Sequence, residues 1–434
     1  MKKSPIAILA ASCASAVAFA APANTNKAGS DFGASVFVSA QQTDNALKSK
    51  EDKISELQNQ LGATVFAAYE NDYIALNSDY SLSEMRYEKD SQQARTSTVG
   101  RTDFTLGKPH HSFDLNISHS LQKLPKFSGA LDLEENNDEK QVLSVQPGFR
   151  TRITPVDNFF INATATEVEY RFEEQKNSSR RGGTVGLVHG FSAVDSLTVY
   201  VSQTDITFDF NPDVDYKQTM AVVAFDTRLR KINYRIEAGQ SRTDSSRLGV
   251  SDDPYYVFQL NYDAGYNQLT FAFNQQVTDS SRGFDAGTMP GEIASGSDVT
   301  ADQVDQVLLR HAELRWSSGA LCGRCDFYIS AYRDEHEYQS LDRNEERFGA
   351  ALGLNYQLSR NARVGANISR ADQDLMSSIN QNKYTLDQLT AYYNYSFVNG
   401  LNIRLFATEY KRSAEASIDE YSELRAGITV GYRF

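Results

Sequence analysis

The chain has 434 residues, a formal net charge of −13 and a mean hydropathy of −0.48. Such acidity argues against a nucleic-acid partner, because nucleic acid is bound mainly through an excess of lysine and arginine. After residue 20 no stretch approaches the ~20 apolar residues that a helical membrane span requires, so no helical span is predicted.

The first twenty residues have the features of a secretory signal peptide. Lys2 and Lys3 form the charged region, an apolar region follows, and an A-F-A sequence ending at Ala20 fits the cleavage site. Removal of the two lysines with this segment takes the formal charge from −13 to −15. Cys13 opens the alternative of lipid attachment, but the apolar run before it is short and a second run follows it.

Beyond a polar leader, the chain alternates apolar and polar residues with a period of two, which is the pattern of β-strands. The first two segments lie near 32–40 and 61–69, and the polar segment 41–58 between them is interpreted as an external loop. The further segments lie near 74–87, 96–106, 112–121, 141–152, 158–172, 184–191, 196–208, 216–227, 231–242, 255–262, 268–278, 304–316, 326–333, 347–358, 362–371, 386–397, 401–410 and 421–434. In 158–172 the apolar phase slips after Ala165, which indicates either a bulge or a strand that leaves the membrane.

The connections between these segments fall into two classes that alternate along the chain. Short turns, such as 359–361, alternate with longer loops, such as 122–140 and 280–302. Short periplasmic turns and long outer loops are typical of outer-membrane β-barrels, whose strand number is even. The pattern predicts an all-β, antiparallel, up-and-down transmembrane β-barrel of about twenty strands, with eighteen as the fallback. The predicted domains are a signal peptide at 1–20, a short periplasmic leader at 21–31 and the barrel at 32–434.

The last eleven residues, L-R-A-G-I-T-V-G-Y-R-F, alternate most clearly. About ten residues of a tilted strand cross the hydrocarbon core of a bilayer. An alternating strand closed by Tyr432 and Phe434 resembles the assembly signal of bacterial outer-membrane barrels. Location in the bacterial outer membrane is therefore predicted, with outer-membrane lipids and the barrel-assembly machinery as partners.

The polar phase of each strand is predicted to face the lumen, because a charge facing lipid near the midplane costs about 2–4 kcal/mol. The predicted pore-lining residues are Arg235, Glu237, Glu313, Arg315, Arg404, Glu423, Arg425 and Arg433. Opposite charges on neighbouring strands form cross-strand pairs, which either only stiffen the wall or also contact a passing polar solute. Tyr200, Tyr328 and Phe406 share this phase, and they either fill space or stack on sugar rings.

Cys322 and Cys325 lie in the sequence L-C-G-R-C-D. No βαβ pattern surrounds them, so a redox motif is weak, and Asp326 stands where covalent haem attachment needs histidine. His311 alone does not supply the further ligands of a zinc site. A disulfide between these cysteines, in a turn of an exported protein, is the favoured interpretation.

No catalytic constellation is recognisable. The six histidines are scattered, and there is no G-x-S-x-G sequence, metal cluster or phosphate loop. We therefore predict neither enzyme activity nor a metal or other cofactor.

The segment 43–82 begins with T-D-N, contains D-K-I-S-E-L and ends in D-Y-S-L. In these motifs the chain resembles outer-membrane barrels encoded in exopolysaccharide loci, namely the β-barrel porin 2 group and barrels associated with the PEP-CTERM system. The resemblance implies a channel that exports a secreted exopolysaccharide of the biofilm or capsule type, together with a periplasmic polysaccharide-export protein. The cysteine pair has no place in this family pattern.

Two alternatives remain open for the function. One is a general or substrate-specific uptake porin for small solutes, in which the loop 280–302 folds inward as a constriction. The other is a structural barrel that surrounds a partner in an envelope complex.

Overall fold

The computed structural model describes residues 30–107, 112–126, 129–281, 304–341, 343–376, 381–415 and 419–434. Twenty antiparallel strands each pair with the next strand in the chain, and β20 pairs with β1. The sheet is therefore a closed up-and-down β-barrel, which confirms the predicted fold class and strand number. The predicted signal peptide lies outside the described residues, as does the leader up to residue 29.

The strands are β1 (Ser30–Thr43), β2 (Glu56–Glu70), β3 (Ile74–Tyr87), β4 (Arg95–Leu106), β5 (Phe113–Pro125), β6 (Asn137–Arg152), β7 (Asp157–Tyr170), β8 (Ser178–Gly190), β9 (Asp195–Phe208), β10 (Tyr216–Arg228), β11 (Ile232–Ser245), β12 (Gly249–Asp263), β13 (Asn267–Asp279), β14 (Gln306–Ser318), β15 (Cys325–Tyr338), β16 (Asn344–Gln357), β17 (Ala362–Met376), β18 (Gln381–Ser396), β19 (Leu401–Ala414) and β20 (Tyr421–Arg433). Three single 3-10 turns lie in loops, at Glu134–Asn136, Glu174–Lys176 and Pro212–Val214. Among the described residues no helix is long and apolar enough to cross a membrane.

The strand ends differ in how well the sequence predicted them. At the end of the barrel with the short turns (the turn end), every boundary lies within two residues of its prediction. At the opposite end (the loop end) several strands are longer, as where β8 begins at Ser178 and β15 continues to Tyr338. The predicted loop 41–58 was too wide, because β1 continues to Thr43 and β2 begins at Glu56.

The apolar phase change in β7 marks a strand leaving the membrane, and a bulge there was the wrong alternative. The register of β7 with β8 is unbroken from Asp157 to Val168. Val168 is buried on the inner face, whereas the flanking Glu167 and Glu169 are exposed on the outer face. Outward carboxylates are unfavourable in hydrocarbon, so the loop end of this strand stands in water.

The outer surface carries an apolar belt below a charged rim. Val185, Val199, Val223 and Ile236 on four successive strands all point outward and are exposed in the isolated chain. Nearer the loop end, opposite charges pair across neighbouring strands on the same outer face. These pairs are Arg310–Glu335 at 3.4 Å, Arg333–Glu346 at 3.4 Å and Arg370–Asp387 at 3.7 Å. A closed sheet with all strands paired and an apolar belt outside satisfies the requirements of a membrane-spanning barrel.

Candidate functional site in the barrel lumen

The register places all eight predicted pore-lining residues on the inner face of the barrel. On the wall of β10 and β11, Arg235 binds Asp226 with 2.9 Å between Nη1 and the carboxylate, and its Nε donates to Glu237. Glu237 also accepts hydrogen bonds from the hydroxyl groups of Tyr200, at 2.8 Å, and Tyr255, at 3.3 Å. Arg235 binds both carboxylates of this cluster, which holds the three side chains together and stiffens the wall.

The β20 residues are paired in the same way. Arg425 Nη2 lies 2.9 Å from Glu423 Oε1, which also accepts a 2.7 Å hydrogen bond from the Thr43 hydroxyl on β1. Near the turn end, Arg433 lies 3.4 Å from Asp31. These contacts join the last strand to the first across the point of barrel closure.

Arg315 and Arg404 are different, because no carboxylate lies within ion-pair distance of either among the described residues. The Arg315 guanidinium lies over the ring of Tyr328, 4.9 Å from its centroid. The Arg404 guanidinium lies over Tyr392 at 4.5 Å. Glu313 is on the same inner face as Arg315, two residues toward the loop end.

The aromatic residues of the inner face lie along the wall and do not project across the lumen. The Tyr328 ring covers Gly353 on the next strand, and a side chain at Gly353 would overlap it. Phe406 covers Gly427 in the same manner. Tyr200 is held by its hydrogen bond to Glu237. Glycine opposite an aromatic residue lets the ring pack flat on the sheet.

At the loop end, the described part of the β5–β6 loop (126 and 129–136) reaches over the lumen to the wall at β19. The backbone carbonyl of Gly129 accepts a 2.8 Å hydrogen bond from Arg412 on β19. Lys48, in the β1–β2 loop, lies 2.9 Å from the Asp132 carboxylate. The Lys48 ammonium holds the pKa of Asp132 well below its usual range. The loop is therefore fixed at both of its far contacts.

The β13–β14 hairpin enters the lumen from another part of the wall. The β12–β13 pairing ends at Tyr256 and Gln275, although β13 continues to Asp279. Beyond that point the carbonyl of Val277 accepts a 3.1 Å hydrogen bond from the side chain of Gln218 on β10. The hairpin thus separates from β12 and crosses the inner face toward β10.

A buried ion pair fastens this hairpin to β8. Arg180 Nη2 lies 2.8 and 2.7 Å from the two carboxylate oxygens of Asp279, and both side chains are almost fully buried. Asp279 also accepts hydrogen bonds from the Tyr216 hydroxyl at 2.9 Å and the Ser281 amide at 2.9 Å. We call these four residues the hairpin latch.

Apolar contacts support the latch. Val304, just before β14, packs in a buried cluster with Ile206, Phe208 and Tyr216. The next strand residues, Val307 to Leu309, are all buried, on both faces of the strand. A strand at a wet barrel wall has one exposed face, so burial of both faces shows that chain packs on either side of the hairpin.

The sequence analysis identified neither the latch nor the β5–β6 loop contacts. Arg180 and Asp279 lie on strands five apart, and Lys48 and Asp132 lie in separate loops. The available signal was the run V-L-L at 307–309, which breaks the alternation.

The two remaining predicted sites are at the turn end. The sulfur atoms of Cys322 and Cys325 are bonded across the β14–β15 turn, with 5.2 Å between Cα atoms. Tyr432 faces outward, and its ring meets the Phe434 ring edge-on at 4.9 Å. The Phe434 amide donates a 2.9 Å hydrogen bond to Ala34 on β1. The terminal residue therefore takes part in barrel closure.

The chain is an outer-membrane-type β-barrel. Among the described residues, no three His, Cys, Asp or Glu side chains are arranged to hold a metal ion. No family model matches the chain, and no curated protein matches it. The resemblance to exopolysaccharide-locus barrels therefore stays a prediction.

Several solved structures are similar in fold. The FrpB iron transporter from Neisseria meningitidis is 10% identical over 93% of this chain and 82% of its own, with a TM-score of 0.46. A loop-deletion mutant of OmpT, an outer membrane protein of Vibrio cholerae, is 13% identical over 94% and 100%, with a TM-score of 0.37. Pseudomonas aeruginosa OpdK is 10% identical over 93% and 98%, with a TM-score of 0.39. These scores are low, so the likeness adds no argument to the barrel already described.

Proposed function

We propose that this protein is an outer-membrane channel that passes small polar solutes through a constriction formed by its own chain. The observation that carries the proposal is the β13–β14 hairpin, whose β13 edge stops pairing with β12 beyond Gln275 and is fastened across the inner face by the hairpin latch, while β14 stays paired with β15. The uptake alternative expected an inward fold of the segment 280–302. Of that segment only residues 280 and 281 are described, so the expected fold of the rest stays a prediction. The flanking residues 274–281 and 304–309 pack against the inner face.

The lumen below the constriction suits a hydrated path. A barrel with more strands than the 16- to 18-stranded porins is wide enough for water. Its inner face carries charges that are mostly paired, as in the Arg235–Asp226 and Arg425–Glu423 contacts. Paired charges hold water without binding a solute tightly, which favours passage over capture.

A second candidate function is export of an exopolysaccharide, which the resemblance of the segment 43–82 suggests. The flat ring of Tyr328 on the wall favours it, because aromatic faces stack on sugars. In this case the hairpin has to leave the lumen while the polymer passes. A periplasmic export protein is a partner proposed for this candidate only.

Proteoliposome swelling with sugars of increasing size tests the first proposal. We expect a monosaccharide to enter quickly and a tetrasaccharide to be excluded, because the hairpin and the β5–β6 loop narrow the entrance. Equal rates for both sugars, or no permeability of a folded barrel, would contradict it. The export candidate predicts that a deletion strain synthesises the polymer but releases far less of it. Normal release, with slower growth on a small nutrient, would favour uptake.

A further inference from the structure

The inner wall between β14 and β19 carries a pair of tyrosines that lie flat and point in opposite directions. Tyr328 starts on β15, covers Gly353 on β16 and reaches Asn367 on β17. Tyr392 starts on β18, covers Gly365 on β17 and donates a hydrogen bond to Asn355 on β16. The two rings therefore lie side by side, and Tyr392 is fixed at its hydroxyl end.

One arginine side chain stacks on each ring of this tyrosine pair. Arg315 lies over Tyr328 and Arg404 lies over Tyr392, at 4.9 and 4.5 Å from the ring centroids. Both guanidinium groups are only partly buried. Within the described part of the chain they have neither a carboxylate within ion-pair distance nor a side-chain hydrogen bond.

Most other inner arginines are used differently. Arg101 is bound to Asp103 through two N–H groups, at 2.6 and 3.1 Å, and Arg235, Arg425 and Arg433 each have a carboxylate partner. An arginine stacked on an aromatic ring keeps its planar fork of N–H donors directed away from the ring. The two stacked arginines thus offer uncompensated positive charge and free donors to the lumen.

We propose that Arg315 and Arg404, held on the tyrosine pair, form a binding site for small organic carboxylates inside the channel. This inference rests on the proposed function, because a carboxylate reaches the site only through the lumen. The guanidinium fork matches a carboxylate in geometry and binds it through two parallel hydrogen bonds. Glu313, on the same face as Arg315, disfavours more highly charged anions by repulsion, so a monocarboxylate is the expected ligand.

The test is block of single-channel current by glucuronate, with neutral glucose as the reference solute. In the wild-type barrel, millimolar glucuronate should reduce the chloride current and glucose should not. A hydrogen bond to a charged group is stronger than one between neutral groups, and a tenfold change corresponds to about 1.4 kcal/mol. Arg315→Gln and Arg404→Gln should each raise the half-blocking concentration about tenfold.

The matched control is Arg101→Gln, which also removes one positive charge from the inner wall but from an arginine that Asp103 already occupies. It should change the half-blocking concentration less than about threefold. A folded wild-type barrel without any current would overturn the proposed function itself. Two results would overturn the carboxylate site but not the channel function. One is a current that glucuronate does not block, and the other is a block that weakens equally in Arg101→Gln and Arg315→Gln. Heat-modifiable migration verifies that each variant is folded.

Discussion

Breaking the hairpin latch should open the channel. Arg180→Met keeps most of the side-chain volume but removes the guanidinium that binds both oxygens of the buried Asp279 carboxylate. Removing one partner of a buried ion pair costs about 3–5 kcal/mol, because the remaining charge is uncompensated. The hydrogen bonds from Tyr216 and Ser281 remain, so the lower end of that range applies.

Unlike a side chain in a buried core, Asp279 can avoid this cost if the hairpin moves. If it moves off the wall, Asp279 regains water, and the variant then loses only the free energy that favours closure. A change of about 3 kcal/mol shifts the closed-to-open ratio by roughly 150-fold. A barrel that is closed a hundred times more often than open would then be open more than half of the time.

Single-channel recording in planar bilayers measures this shift directly. Arg180→Met should show long high-conductance openings that the wild type shows rarely, and tetrasaccharide entry into liposomes should rise with them. Arg310→Met is the control, because Arg310 lies on β14 as well but forms exposed pairs on the outer face, which contribute about 0–1 kcal/mol. The double variant Arg180→Met/Asp279→Leu also removes the buried carboxylate and should close again in part. Wild-type open times in a folded Arg180→Met barrel would refute the reasoning.

Three further perturbations have defined outcomes. Gly353→Ala should push the Tyr328 ring into the lumen and lower the conductance, whereas Gly323→Ala, at a turn glycine with open space around it, should leave the conductance unchanged. Lys48→Met should raise tetrasaccharide entry by loosening the β5–β6 loop. Since the pKa of Asp132 is depressed in the folded protein, the stabilisation is complete above its unfolded pKa of about 3.9, and the difference between variant and wild type should be equal at pH 7 and pH 5. A difference that disappears at pH 5 would contradict the ion pair. Deletion of the last three residues should abolish membrane insertion, and normal membrane levels of a heat-modifiable truncated protein would contradict that prediction.

The sequence predicted the barrel well where the membrane constrains it. Hydrocarbon outside and water inside force each strand into two chemically different faces, so the turn end could be placed within two residues. At the loop end the outside is also water. There the outer Glu167 and the inner Val168 reverse the membrane pattern, and strand length is underestimated.

The lumenal site could be predicted only in part. Strand phase places Arg315 and Arg404 on the inner face, because alternation fixes the side on which a residue lies. The Arg180–Asp279 pair joins strands that are not neighbours, and pairing rules for adjacent strands do not reach it. The arrangement of the tyrosine pair also depends on which glycine lies opposite each ring. The strand register determines this, and the sequence alone did not predict the register.

The separation of β13 from β12 divides the barrel mechanically. From the turn end up to Tyr256 and Gln275, β12 is paired with β13 residue by residue. Beyond that level a slit separates β12 from β13. Unpaired backbone groups are tolerated only where water or side chains form hydrogen bonds with them. The slit therefore marks a height at or above the surface of the bilayer. Because β14 stays paired with β15 up to Tyr338, the hairpin moves together with the upper part of β15, above the level of the bilayer, so lipid composition and membrane tension should have little influence on how often the channel opens.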